Sequence, residues 1–152
     1  MTTVIDEAAV LEAFGLCILA YMVIVALHVV GLHGAVRIFR QNFHTHDIAK
    51  MRYHQTVILI LSAMMVLFSL HLLTNFAWGA FIHAAGVLPT FRDGVFYSLE
   101  NYTSLGLTRV NVGDTWRMLA PMISLSGVFC LAWSTAMLVS FLGQIYSLRL
   151  SD

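Results

Sequence analysis

Three stretches of the chain, Ala13 to Val36, Tyr53 to Phe91 and Met118 to Leu148, contain no Asp, Glu, Lys or Arg. Each is longer than the roughly 20 residues that carry an α-helix across a bilayer. Such windows leave few ways to fold, because in hydrocarbon every backbone polar group must find its partner within the protein, and a helix does so within one segment. The expectation is an all-α membrane protein with three transmembrane helices, over about 9–38, 55–84 and 117–148. Composition agrees: 59% of the 152 residues are hydrophobic and 11% charged, where a soluble domain carries roughly a quarter charged.

The first run reads as a retained span and not a signal peptide, because Asp6, Glu7 and Glu12 stand where basic residues would be needed. Cys17 and Cys130 lie inside apolar runs, where a thiol behaves as a small hydrophobe. The apolar runs make membrane lipid the surroundings, and a formal net charge of zero gives no reason to expect nucleic acid or a polyanionic partner. With no linker, repeat or low-complexity segment, residues 1–152 read as a single transmembrane domain. Arg37, Arg40, Lys50, Arg52 and Arg149 gather on one side, which the positive-inside rule makes cytoplasmic. The N-terminus is then outside, the C-terminus cytoplasmic, and the link between the second and third spans outside, although Arg92, Arg109 and Arg117 lie there.

That outer link is not an ordinary loop. Phe91, Val95, Phe96, Leu99 and Tyr102 recur at helical spacing. A helix over 91–103 at about 1.5 Å per residue is roughly 18 Å long, short of the 30 Å hydrocarbon core. It dips in and does not cross. Non-helical backbone at that depth is tolerated only against protein or a water-filled cavity. The following "TSLGLTRVNVGD" is therefore expected to close a re-entrant hairpin around a water-filled site. Three spans enclose such a site poorly alone, and a cyclic homo-oligomer supplies the missing walls.

Several features in order resemble one family. Trp78, Phe91, "VFYSLENYTSLGLTR", "TWRML", Gly127 and "AWSTA" are similar to the pore domain of prokaryotic potassium channels. The resemblance implies an outer helix, a pore helix, a selectivity filter over 104–109 and an inner helix, assembled as a homotetramer in a prokaryotic inner membrane. It also implies K+ or Na+ in the pore and no bound cofactor. The family's filter reads Thr-Thr-(Val/Leu/Ile)-Gly-Tyr-Gly-Asp, with backbone carbonyls replacing the ion's hydration shell, as general accounts of channel selectivity describe. By position, Thr103 and Ser104 match the Thr pair, Leu105 the aliphatic residue and Gly106 the first glycine.

The next three residues depart from the pattern. Leu107 replaces the aromatic, Thr108 the second glycine and Arg109 the aspartate. Thr108 makes the outer half of a normal filter costly, by about 1 to 3 kcal/mol for a β-branched residue in a glycine conformation. Leu107 packs but cannot tie the filter by a hydrogen bond. Glu100 holds the place of a family glutamate that lies behind the filter. Glu100 and Arg109 then either form an ion pair bracing the hairpin, or stand apart with Arg109 making a positive ring at the outer mouth. Leu105 and Leu107 are either packed core or a dewetted constriction.

Other positions also carry two readings. Gly127 is a hinge or a close-packing site. Cys130, Ser134 and Met137 form a stripe that lines a cavity or packs. Trp116 reads as an interfacial anchor. His28, His33, His71 and His83 lie in apolar runs, where ionisable groups often mark function. A haem-binding membrane redox protein is the reading from another class. Counted from the cytoplasmic ends of their spans, however, His28 and His71 differ in depth by roughly 9 Å and make a poor pair. His44, His46 and His54 read as a solvated cluster or a pH sensor. No nucleophile, base and orienting group share one depth, so no enzyme is expected, and no metal site. The function expected is passive cation transport through a non-standard filter with weak or no potassium selectivity. The alternative is a non-conducting structural or regulatory homologue with a plugged filter.

Overall fold

The computed structural model of the chain describes residues 7–42, 51–107 and 110–150. All regular structure in these segments is helical: α1 (Glu7–Asn42), α2 (Tyr53–Ala84), α3 (Phe91–Tyr102), a 3-10 turn (Asp114–Trp116) and α4 (Leu119–Leu150). Three helices are long and apolar enough to cross a membrane. α1 extends beyond the expected 9–38 at both ends, since helix continues past the apolar run through Arg37 to Asn42.

The inward stripe of α1 is Ala13, Cys17, Ala20, Ile24, His28 and Leu32, spaced at threes and fours. Most other large apolar side chains on the long helices are exposed, among them Leu19, Met22, Met65, Phe68 and Val139. Lipid accepts such faces at no cost, so what holds the helices together is small-residue contact and hydrogen bonding. The core confirms this mixture. Trp78, Ile82, Leu119 and Ile123 are buried beside His28, Thr74, Asn75, Ser98, Ser126 and Ser134. Trp78 Nε1–H donates to Ser126 Oγ at 3.0 Å, tying α2 to α4 at the centre of the cluster.

α3 is wedged between α2 and α4. Its backbone meets α2 at a glycine pair: a Cβ on Gly94 would lie 2.7 Å from the Gly79 carbonyl oxygen, and one on Gly79 would lie 2.8 Å from Val95 N. The helix starts on a Thr90 cap, whose hydroxyl accepts from Asp93 N at 3.1 Å. Its orientation is not the one an apolar stripe suggests. Phe91 and Phe96 are exposed, and Phe91, Val95, Phe96 and Leu99 line an open groove with Phe76. The buried residues are Gly94, Tyr97, Ser98, Asn101 and Tyr102. The stripe marks a helix correctly but is divided between faces: Phe91 and Phe96 point outward, Val95 and Leu99 are half-buried, and Tyr102 turns inward, because in this fold polar groups turn inward to find partners.

Candidate functional site

The C-terminal ends of α2 and α3 use the same backbone device. After α2, Gly86 N bonds His83 O and Val87 N bonds Ile82 O, with Gly86 left-handed at φ 70°. After α3, Ser104 N bonds Asn101 O at 2.9 Å and Leu105 N bonds Glu100 O at 2.8 Å, with Ser104 at φ 58°. Each pair of bonds satisfies orphan carbonyls at a helix end, and the left-handed residue is normally glycine. Serine there is strained by about 1 kcal/mol or more.

The hairpin thus begins inside the helix cap. Thr103 is the cap residue and its hydroxyl bonds Leu99 O at 2.9 Å. Gly106 is again left-handed at φ 59° and its N–H shares the Glu100 carbonyl at 3.1 Å. Left-handed residues at 104 and 106, with Leu105 between them on the other hand, give a segment that alternates in hand. Leu105 and Leu107 are 61% and 70% exposed in the single chain. They are not packed core within the chain, so any burial must come from elsewhere. Thr108 and Arg109 lie outside the described residues, as do His44 and His46.

Three elements, α2, α4 and the 3-10 turn, hold α3 and this hairpin. Ser98 Oγ donates to Asn75 Oδ1 at 2.9 Å, and Asn75 Nδ2 donates to the His71 carbonyl at 2.9 Å. Ser124 Oγ donates to the Asn101 carbonyl at 2.8 Å. Gly127 packs directly beneath the Tyr102 carbonyl, which leaves no room for a side chain. That contact supplies a packing reason for this glycine. Trp116 is half-buried against Phe81, ring centroids 6.2 Å apart, so it braces the loop as well as any interface.

Of the two readings of Cys130, Ser134 and Met137, the single chain shows packing. Cys130 and Ser134 are buried within the chain's own helix packing, and Met137 is half-buried, so this face of α4 does not look onto an open cavity. The reason is polar: Ser134 Oγ sits 3.2 Å from His28 Nε2, and Cys130 lies beside Tyr102. The exposed faces of α4 carry Leu125, Val128, Leu131 and Val139 instead.

The histidines also correct the depth estimate. His28 and His71 are neighbours, ring centroids 4.9 Å apart and tilted by 37°. From the observed ends, Asn42 and Tyr53, the offset shrinks from about 9 Å to about 6 Å, and the rest is lost because helix ends do not mark one common depth. Thr74 Oγ1 donates to Leu70 O at 2.8 Å, so it accepts from His28 Nδ1–H at 2.9 Å. His28 Nε2 then accepts from Ser134. His71 Nδ1 lies 2.7 Å from the Tyr102 hydroxyl, the tautomer of His71 setting which of the two donates. This pair does not fit a haem: both His28 nitrogens are taken, and rings this close leave no place for an iron held axially between them. His33 Nδ1 bonds its own helix at Val29 O, and His83 is exposed. Sequence reasoning identified His28 and His71 but not Asn75, Ser98 or Ser124, whose spacing resembles any small polar residue in a span. Among the described residues, no group of three His, Cys, Asp or Glu side chains is placed to hold a metal ion.

No protein-family model, curated protein or solved structure matches the chain.

Proposed function

We propose that the chain is the subunit of a homotetrameric, potassium-channel-like pore that passes cations passively with weak or no potassium selectivity. The observation that carries this reading is α3: a twelve-residue helix, far too short to cross, seated among long helices by buried polar contacts and ending in an exposed hairpin of alternating hand. A soluble loop has no use for such anchoring, and Leu105 and Leu107 lack a second wall in one subunit. Four copies around an axis would supply it. On this reading α3 is the pore helix, with the negative end of its dipole near Thr103 favouring a cation. Residues 103–107 form the inner filter, and Glu100 stands behind it. The inner-membrane location, with the N-terminus outside, follows from the basic residues and the resemblance.

Exposed Leu105 and Leu107 also favour a second reading, in which four hairpins seal against one another as an apolar plug. Ion flux from proteoliposomes holding K+, Na+ or Cl− gradients decides between them. The proposal expects K+ and Na+ to leak at comparable rates and Cl− not to. Strong potassium selectivity overturns the filter argument, and no flux of any ion favours the plug. The triple change Leu107→Tyr, Thr108→Gly and Arg109→Asp is expected to raise K+ over Na+ flux by about tenfold or more, if the filter departures alone set selectivity.

A further inference from the structure

The three long helices meet α3 at one buried polar junction that ion passage does not explain. His28 of α1 and His71 of α2 are in ring contact there, and His71 holds the hydroxyl of Tyr102, the last residue of α3. Tyr102 is 3% exposed, and its carbonyl covers Gly127 of α4. Two residues on, the chain enters the hairpin at Ser104. The imidazoles are thus one hydrogen bond from the helix end on which Leu105 and Gly106 hang.

Among the described residues, the long helices bring no counter-charge to the pair. α1 carries no charged residue between Glu12 and Arg37, α2 none between Arg52 and its end, and α4 none before Arg149. The titratable groups facing the pair are Tyr102 from α3 and Cys130 from α4, with the hydroxyls of Thr74 and Ser134. Glu100 is also on α3, but two residues from Tyr102 places it about 200° around the helix, on another face.

We propose that the His28–His71 pair is a proton-operated latch on the hairpin. In the neutral latch His28 Nε2 accepts from Ser134, and His71 holds the tautomer in which Nδ1 accepts from Tyr102. An added proton on His71 Nδ1 makes the imidazolium a donor, so the Tyr102 hydroxyl must turn its own proton elsewhere and the bond that seats Tyr102 reverses; Cys130 lies beside that hydroxyl. A proton on His28 Nε2 reverses the Ser134 bond instead and sets a charge against the His71 ring. A cation now lies in a desolvated junction with no carboxylate, and the adjacent ring blocks a second proton by like-charge repulsion. Water entry or separation of α1 from α2 relieves it, and Tyr102 and the hairpin loosen together. The consequence for ion flow rests on the pore reading, whereas the latch itself does not.

Hydrogen–deuterium exchange of the full-length protein in lipid nanodiscs tests the latch without requiring conduction. Corrected for intrinsic exchange, protection of the hairpin amides at 104–106 is expected to fall about tenfold or more between about pH 7.5 and about pH 3.5, the acid end reaching below the ordinary histidine range because the junction is desolvated and offers no carboxylate. The same amides should show no pH step in His28→Gln/His71→Gln. Should that double variant misfold, Tyr102→Phe serves instead: it keeps both imidazoles titrating, read by histidine NMR, while the hairpin loses its pH step. A wild type with no step, or a step that survives in both variants, overturns the latch. Flux measured from vesicles of the same protein separates the two ideas. A pH step in exchange with no flux at any pH sinks the pore reading and leaves the latch standing.

Discussion

Gly127 shows how one residue can fix a close approach that its neighbours in sequence do not announce. On sequence it reads as a hinge or a packing site. In the fold a Cβ at this position would lie 2.9 Å from the Tyr102 carbonyl carbon and closer still to its oxygen. Backbone cannot yield as a side-chain tip does, so Gly127→Ala should push α4 off α3. Overpacking of this kind costs about 1 to 3 kcal/mol. Gly143→Ala is the matched control, since nothing lies within 4 Å of its would-be Cβ. Thermal unfolding in detergent is expected to show a clear loss for Gly127→Ala and little change for Gly143→Ala. Equal midpoints would remove the packing account and return Gly127 to the hinge. The histidine pair carries the complementary lesson. Both residues stand out in the sequence, but their contact depends on where each helix ends and how the helices lean, and apolar runs mark those ends poorly.

At the scale of elements, the three long helices are legible because a charge-free run of this length has one stable form in hydrocarbon. The short helix is legible from its spacing, but its facing is not. Period alone cannot say which side of α3 is buried when lipid or a neighbouring subunit takes the apolar side. The buried side is decided by partners: Asn75 for Ser98, Ser124 for the Asn101 carbonyl, Gly79 for Gly94. Asn75 is 2% exposed and Ser98 fully buried, so removing one partner strands the other. Asn75→Leu should cost about 1 to 3 kcal/mol, the penalty of an unsatisfied buried polar group. Adding Ser98→Ala should recover part of that loss, because removing both partners is cheaper than removing one. A double-mutant cycle on unfolding midpoints measures the coupling, and strict additivity would show that this bond does not seat α3.

For the whole molecule the question is where the exposed hairpin goes. A single chain leaves Leu105 and Leu107 more than half open at the tip of an otherwise well-anchored element. If four chains close around an axis, these tips converge; if the chain stands alone or pairs through its outer helices, they stay apart. Leu107→Cys separates the two arrangements. The native thiols, Cys17 and Cys130, are buried and do not compete for a surface reagent. A disulfide needs Cα atoms within about 7 Å, which independent subunits in a dilute bilayer do not hold. Mild oxidation of Leu107→Cys in proteoliposomes is therefore expected to give covalent dimers, and a short bis-maleimide should give the same product where the tips are slightly farther apart. Val139→Cys, exposed on α4 away from the hairpin, serves as the comparison site. Dimers from Val139→Cys but none from Leu107→Cys would mean the chains associate through their long helices with the hairpins apart, and the axial pore would have no structural basis.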